Sequence, residues 1–329
     1  MLTKRENFLE TIHGGRPDRY VNQFEYMGMV YSHPFDLQDP YPEYGQQNVV
    51  NSWGITISWP EGTPGAFPVH TPERVVCKDI EDWQSYVKSP KMDYSDAQWE
   101  QAIKDAEAID RKELLVTGFM APGIFERCHY LLKMEECMMA FYTNPDEMHD
   151  LIKYILDWEI QWAEPFLDKV HPDCMFHHDD WGSQLSTFIS PAMFEDFFLE
   201  PYKQLYKFYK DHGVQAIVHH SDSYAETLVP YMIEMGVDVW QGVMTTNNIP
   251  EMIRKYGDKI TFQGGINSAT LDHEGWTKEE VAAEVRRACK EYGKKAFIPN
   301  LTQGGDFSTF EGVYEAVSDE IRKVNQELF

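Results

Sequence analysis

The sequence predicts an α/β chain folded as a closed (β/α)8 barrel, and three observations carry that expectation. Short apolar runs alternate with long amphipathic segments after about residue 110, and strand-helix alternation is the signature of parallel βαβ units. The length of 329 residues suits one such barrel. No dinucleotide-type GxGxxG follows any strand, which argues against an open nucleotide-binding sheet.

The predicted strands are LLVTGF (114–119), CMFHHDD (174–180), QAIVHH (215–220), VDVWQG (237–242), KITFQGG (259–265) and KAFIPN (295–300), with YVNQFEYM (20–27) as the first. Residues 50–58 offer a weak eighth. Helical periodicity covers 145–168, 191–211, 223–235, 248–256, 277–293 and 309–327. No linker or repeat interrupts the chain, so residues 1–329 read as one domain. Residues 28–110, rich in Pro, Gly, Trp and Tyr, read as an irregular, insertion-like region covering the barrel mouth.

Composition narrows the partners. The formal net charge of −25 opposes nucleic acid phosphate and anionic lipid. Five scattered cysteines without a CxxC pair suggest reduced thiols and the cytoplasm. The opening MLTKRENFLETIHGG is an amphipathic helix pattern without the apolar stretch of a signal peptide. No apolar run approaches the length of a membrane span.

In a barrel, the C-terminal strand ends build the active site. Here those ends carry Glu25, Phe119, His177-His178-Asp179-Asp180, His219-His220-Ser221-Asp222, Trp240-Gln241, Gln263 and Asn300. Helix capping needs a single Ser, Thr, Asp or Asn and does not account for HHDD or HHSD. Strand side chains alternate between faces, so His178 and Asp180 share one face, and His220 groups with Asp222. These four, with Glu25, are the candidate catalytic residues. Glu25 among aromatics suits a general acid whose proton affinity is raised by desolvation; a salt-bridged structural Glu is the alternative. Asp222 suits a metal ligand, an acid-base group or a helix N-cap. Asp180, His220 and Asp222 form a candidate zinc site, although no local motif such as HExxH marks one. Tyr26, Phe119, Trp181, Tyr224 and Trp240 suggest a flat, apolar or aromatic ligand, with Gln241, Gln263 and Asn300 to orient it. The glycine pairs in FQGGIN and TQGGDF have no neighbouring Lys or Arg and suit close backbone approach or tight turns rather than phosphate binding.

Several stretches resemble the uroporphyrinogen decarboxylase superfamily: TKRENFLETIHGGRPDR, GFMAPGIFERCHYLLKMEECMMAFYTNP, DDWGSQLSTFISPAMFEDFFLEPYKQLYKFYKDHG, GVDVWQG, KYGDKITFQGGIN and EGVYEAVSDEIRK. The resemblance implies a distorted TIM barrel. True decarboxylases of this superfamily resemble one another in an RQAGR-type motif that binds substrate carboxylates, and VNQFEYMGM has no Arg. Thiol methyltransferases of the corrinoid-dependent branch share a His-x-Cys zinc motif with a later Cys. Here that stretch is His220-Ser221-Asp222, and the later Cys is absent near Asn300–Thr302. The HSDSY and DDWGSQ patterns resemble the methyltransferase I components of anaerobic O-demethylases. That resemblance implies methyl transfer from a methoxylated, often aromatic, compound to the cobalt of a separate corrinoid protein, since no DxHxxG corrinoid motif is present. Decarboxylation of uroporphyrinogen or another small acid, or a non-catalytic binding barrel, are the other readings. A homodimer is compatible with the sequence.

Overall fold

The computed structural model describes residues 1–63, 65–306 and 308–329. In chain order the elements are α1 (Lys4–Ile12), β1 (Met27–Val30), β2 (Val49–Val50), β3 (Thr56–Ser58), β4 (Phe67–Pro68), α2 (Trp83–Tyr86), α3 (Asp96–Ala108), β5 (Leu115–Met120), α4 (Ile124–Leu132), α5 (Met134–Thr143), α6 (Pro145–Val170), β6 (Cys174–His178), α7 (Pro191–Phe194), α8 (Glu200–Asp211), β7 (Ala216–His220), α9 (Val229–Met235), β8 (Val239–Val243), α10 (Ile249–Tyr256), β9 (Thr261–Ile266), α11 (Ser268–Leu271), α12 (Lys278–Tyr292), β10 (Phe297–Leu301) and α13 (Val313–Leu328). One turn of π-helix, Glu195–Leu199, joins α7 to α8.

Among the described residues the main sheet has seven strands in the order β1-β5-β6-β7-β8-β9-β10, and every neighbouring pair is parallel. The sheet curls as the sequence predicts. Two expectations shift, however. The first strand is Met27–Val30 rather than 20–27. Residues 23–26 form a turn instead, with Gln23 at a φ of 52°. This turn bridges the open side: the Gln23 N–H donates to Pro299 O at 3.3 Å, and Gln263 Nε2 donates to Gln23 O at 3.2 Å. Residues 50–58 do not supply an eighth barrel strand. They join β2, β3 and β4 in a separate antiparallel sheet.

The barrel interior is apolar at its lower end, where Val21, Leu115, Cys174, Ala216, Val218, Val239 and Ile298 pack together. Helix α1, held by a Thr3–Glu6 capping box, sends Phe8 into this floor. Phe8 stacks on Tyr26 with ring centroids 3.7 Å apart. The region 31–110 is fixed largely to α6 on the barrel flank. His33 stacks on Trp162 at 4.4 Å and Trp53 meets Trp158 edge-on at 5.0 Å. Tyr31 reaches the rim, edge-on to Phe119 at 5.6 Å. No helix among the described residues is long and apolar enough to cross a membrane.

Candidate metal centre at the barrel mouth

Strand parity sorts the two His-His pairs. In β6 and β7, His177 pairs with His219 and His178 with His220 in register. The first pair turns outward. His177 Nε2 meets the fully buried Glu159 of α6 at 3.0 Å. His219 Nδ1 accepts from the Tyr206 hydroxyl of α8 at 2.7 Å. The second pair turns inward, and its rings stack at 4.3 Å. Asp180, two residues beyond His178, lies with its Oδ1 at 3.8 Å from His220 Nε2. One ligand atom from each of His178, Asp180 and His220 lies within 4.8 Å of the other two.

The histidines are held from behind. His178 Nδ1 bonds Glu126 Oε2 at 3.0 Å, and His220 Nδ1 bonds Gln241 Oε1. In each ring the bonded nitrogen is Nδ1, which leaves Nε2 for the mouth. Imidazoles that ligate metals are commonly fixed by such an acceptor on the other nitrogen. Asp180 Oδ1 accepts from the Asp222 N–H at 2.9 Å.

Glu126 arrives from another element. It occupies the third position of α4, whose N-cap is Gly123. A Cβ on Gly123 would lie 2.5 Å from His177 Cε1 and 2.6 Å from Asp179 Cβ, so only glycine lets the helix end sit this close to β6. The Gly123 N–H donates to His178 O at 2.8 Å. Asp179 closes the arrangement. Its buried carboxylate accepts from the Phe125 and Glu126 N–H groups at 2.9 and 2.8 Å, and from the Tyr202 hydroxyl.

Electrostatics separate the groups. Burial works against charge on His178, but Glu126, Asp180 and Asp222 outweigh it and push its pKa up to about 10. Burial and the neighbouring His178 push His220 down to about 4. Burial and Asp180 push Asp222 up to about 8, against a hydrogen bond from Gln303.

Other sequence-predicted positions differ. Asp222 is not in the convergent trio, and its Oδ2 accepts from Gln303 Nε2 at 3.0 Å. Glu25 precedes β1 instead of ending a strand. Its carboxylate accepts from the Asn22 N–H at 3.0 Å. Tyr26 and Gln263 lie in the barrel, but the Tyr26 hydroxyl donates to Gln263 Oε1 at 2.8 Å, and the Gln263 amide is spent on Gln23. Trp181 and Trp240 are buried away from the mouth. Trp181 stacks on the outward His219 at 3.8 Å, and Trp240 Nε1 donates to Ser221 O at 2.9 Å. Parity along β8 requires this, because Gln241 takes the inward face. The Tyr224 hydroxyl donates to Glu226 at 2.9 Å.

Different aromatics line the site. Phe176 lies 5.8 Å from the His220 ring. Phe119 stacks on Phe176 at 5.7 Å, and Phe24 meets Phe176 edge-on at 6.3 Å. Asn300 is fully buried on the same face of β10 as the interior Ile298, and neither atom of its amide has a partner. Sequence reasoning missed Glu126, Gln303 and Phe176. A glutamate in the first turn of a helix carries no signal beyond favourable interaction with the helix dipole.

Residues 49–324 match the family model described as "Uroporphyrinogen decarboxylase (URO-D)", and the chain belongs to that family. Its fold is that of a solved methyltransferase from Methanosarcina mazei, with a TM-score of 0.67, 14% identity, and coverage of 98% of this chain and 99% of that one. A B12-independent methionine synthase from Shewanella sp. W3-18-1, solved with selenomethionine, aligns more loosely, with a TM-score of 0.41 and 14% identity over 74% of this chain and 70% of that one. No curated protein matches the chain.

Proposed function

We propose that this chain is a methyltransferase that takes a methyl group from a methoxylated, aromatic compound and delivers it to the cobalt of a separate corrinoid protein. The carrying observation is the convergence of His178, Asp180 and His220 at the mouth, with both imidazoles fixed through Nδ1. Two nitrogens and a carboxylate oxygen suit zinc and leave a coordination position open. A bound divalent cation would supply Lewis-acid polarisation of the ether oxygen, making the alkoxide or phenolate a better leaving group.

The chain's own residues do the rest. Phe119 and Phe176 offer an apolar wall beside His220 on which a flat ring can lie. The unpartnered Asn300 amide offers a donor and an acceptor inside the barrel. Satisfying a buried amide by a ligand group recovers the cost of leaving it unpaired. The nucleophile is the cobalt of the partner, so no activated Ser, Cys or Lys is needed here.

The charge distribution supports methyl transfer over decarboxylation of a polyacid. Glu126, Asp180 and Asp222 crowd the cluster. Arg127, next to Glu126 in sequence, lies instead against the rings of Trp53 and Trp158, 4.8 and 4.7 Å from their centroids. All five cysteines are buried and unpaired, which fits a reducing compartment such as the cytoplasm.

The test is metal analysis of protein expressed with zinc, for wild type and His220→Ala, followed by methylation of an added corrinoid protein from methoxyarenes. About one zinc per chain, lost in the variant together with methyl transfer, is the expected result. Wild-type protein with no metal, or substrate-dependent methylation unchanged in His220→Ala, would refute the proposal.

A further inference from the structure

We infer that Glu126 is a positioning residue that sets the metal affinity of the barrel mouth by fixing which nitrogen of His178 faces it. The inference rests on the function proposed above. It adds a residue from outside the strand ends.

A neutral histidine carries one N–H and one lone pair, and a metal takes the lone pair. Glu126 Oε2 lies 3.0 Å from His178 Nδ1. An ionised carboxylate can only accept, so Nδ1 keeps its hydrogen; when a metal displaces the second ring proton, that proton leaves Nε2, whose lone pair then faces the cluster. Nε2 is the free nitrogen of this ring and the one available to the cluster.

Glu126 is itself immobilised. It is 7% exposed. Its backbone N–H is held by Asp179 at 2.8 Å, and its charge sits at the positive end of α4. The close approach of Gly123 to β6 fixes the distance between that helix end and His178.

His220 provides an internal comparison. Its Nδ1 is held by the neutral amide oxygen of Gln241. The two histidines are therefore oriented by the same contact, one with an anion and one with an amide. An anionic partner also raises the basicity of the ligating nitrogen. Together Glu126 and Asp180 place two negative charges against a divalent cation, so the loaded site would be close to neutral.

The experiment measures zinc affinity by chelator competition and records the visible spectrum of the cobalt(II)-substituted protein. Wild type, Glu126→Ala and Glu126→Gln are compared, and the melting temperature of each reports folding. Glu126→Ala is expected to weaken zinc binding about 10- to 100-fold and to alter the cobalt spectrum. Glu126→Gln copies the contact that His220 already has, and should recover most of the affinity and the wild-type spectrum. A purely structural role for Glu126 predicts lower melting temperature with unchanged metal affinity. Zinc binding by Glu126→Ala within threefold of wild type would overturn the inference and leave the proposed function standing. Absence of zinc binding by wild type would overturn both.

Discussion

Asp179 offers the sharpest quantitative check on how this site is built. Its carboxylate is fully buried and accepts from the Phe125 N–H, the Glu126 N–H, the Tyr202 hydroxyl and, at 3.3 Å, the Trp181 indole N–H. Burial and the nearby Glu126 push its pKa up, while the α4 N–H groups pull it down. In Asp179→Ala all four donors lose the carboxylate, and only the Phe125 N–H and the Trp181 indole keep a long contact, 3.4 Å each, to the Tyr202 hydroxyl. Each orphaned buried donor costs about 1–3 kcal/mol. The relief of desolvating a carboxylate offsets part of that sum, so a net loss of about 3–5 kcal/mol follows. At about 2–4 °C per kcal/mol for a domain of this order of size, the melting temperature should fall by about 6 °C or more. Tyr202→Phe removes a single donor and should cost about 1 kcal/mol. Urea and thermal unfolding of both variants give the comparison. Because Asp179 holds the helix end that carries Glu126, Asp179→Ala should also weaken metal binding. An Asp179→Ala variant as stable as Tyr202→Phe would refute the idea that this carboxylate organises the start of α4.

Three further outcomes follow from other contacts. Gly123→Ala places a Cβ 2.5 Å from His177 Cε1 and should cost about 1–3 kcal/mol by overpacking, read from the shift in the urea midpoint. His33 is buried and neutral, donating from Nε2 to Trp162 O, and burial lowers its pKa to about 3. Its folded pKa lies below the unfolded value of about 6.5, so its contribution is complete above that pH and is lost as pH falls, by about 1.4 kcal/mol per unit down to about pH 3. Stability measured between pH 7 and 5 should fall less steeply in His33→Gln. Asn300→Leu removes two unpartnered amide atoms, so the variant should be as stable as wild type or more so, while substrate binding weakens at least tenfold by calorimetry; a destabilised variant with normal binding would show that Asn300 serves the fold.

Much of the candidate site was legible because a strand has a period of two. That period places His178 and His220 on one face and His177 and His219 on the other, as their separate contacts show. The same rule, applied along β8, sets Gln241 inward and Trp240 against the helices. It fails where no strand continues. Trp181 and Tyr224 lie in loops, and their directions follow from contacts with His219 and Glu226. Glu25 was misplaced because the 23–26 turn begins the strand at Met27.

The sequence by itself determined the alternation of strands and helices, the polar strand ends and the family signature, since these are local patterns of burial and spacing. Tertiary structure decided which groups meet. His178 and Glu126 are 52 positions apart, and Asp222 and Gln303 are 81 apart. Those contacts depend on where barrel closure brings the start of α4 and the loop after β10, and no local periodicity encodes that distance.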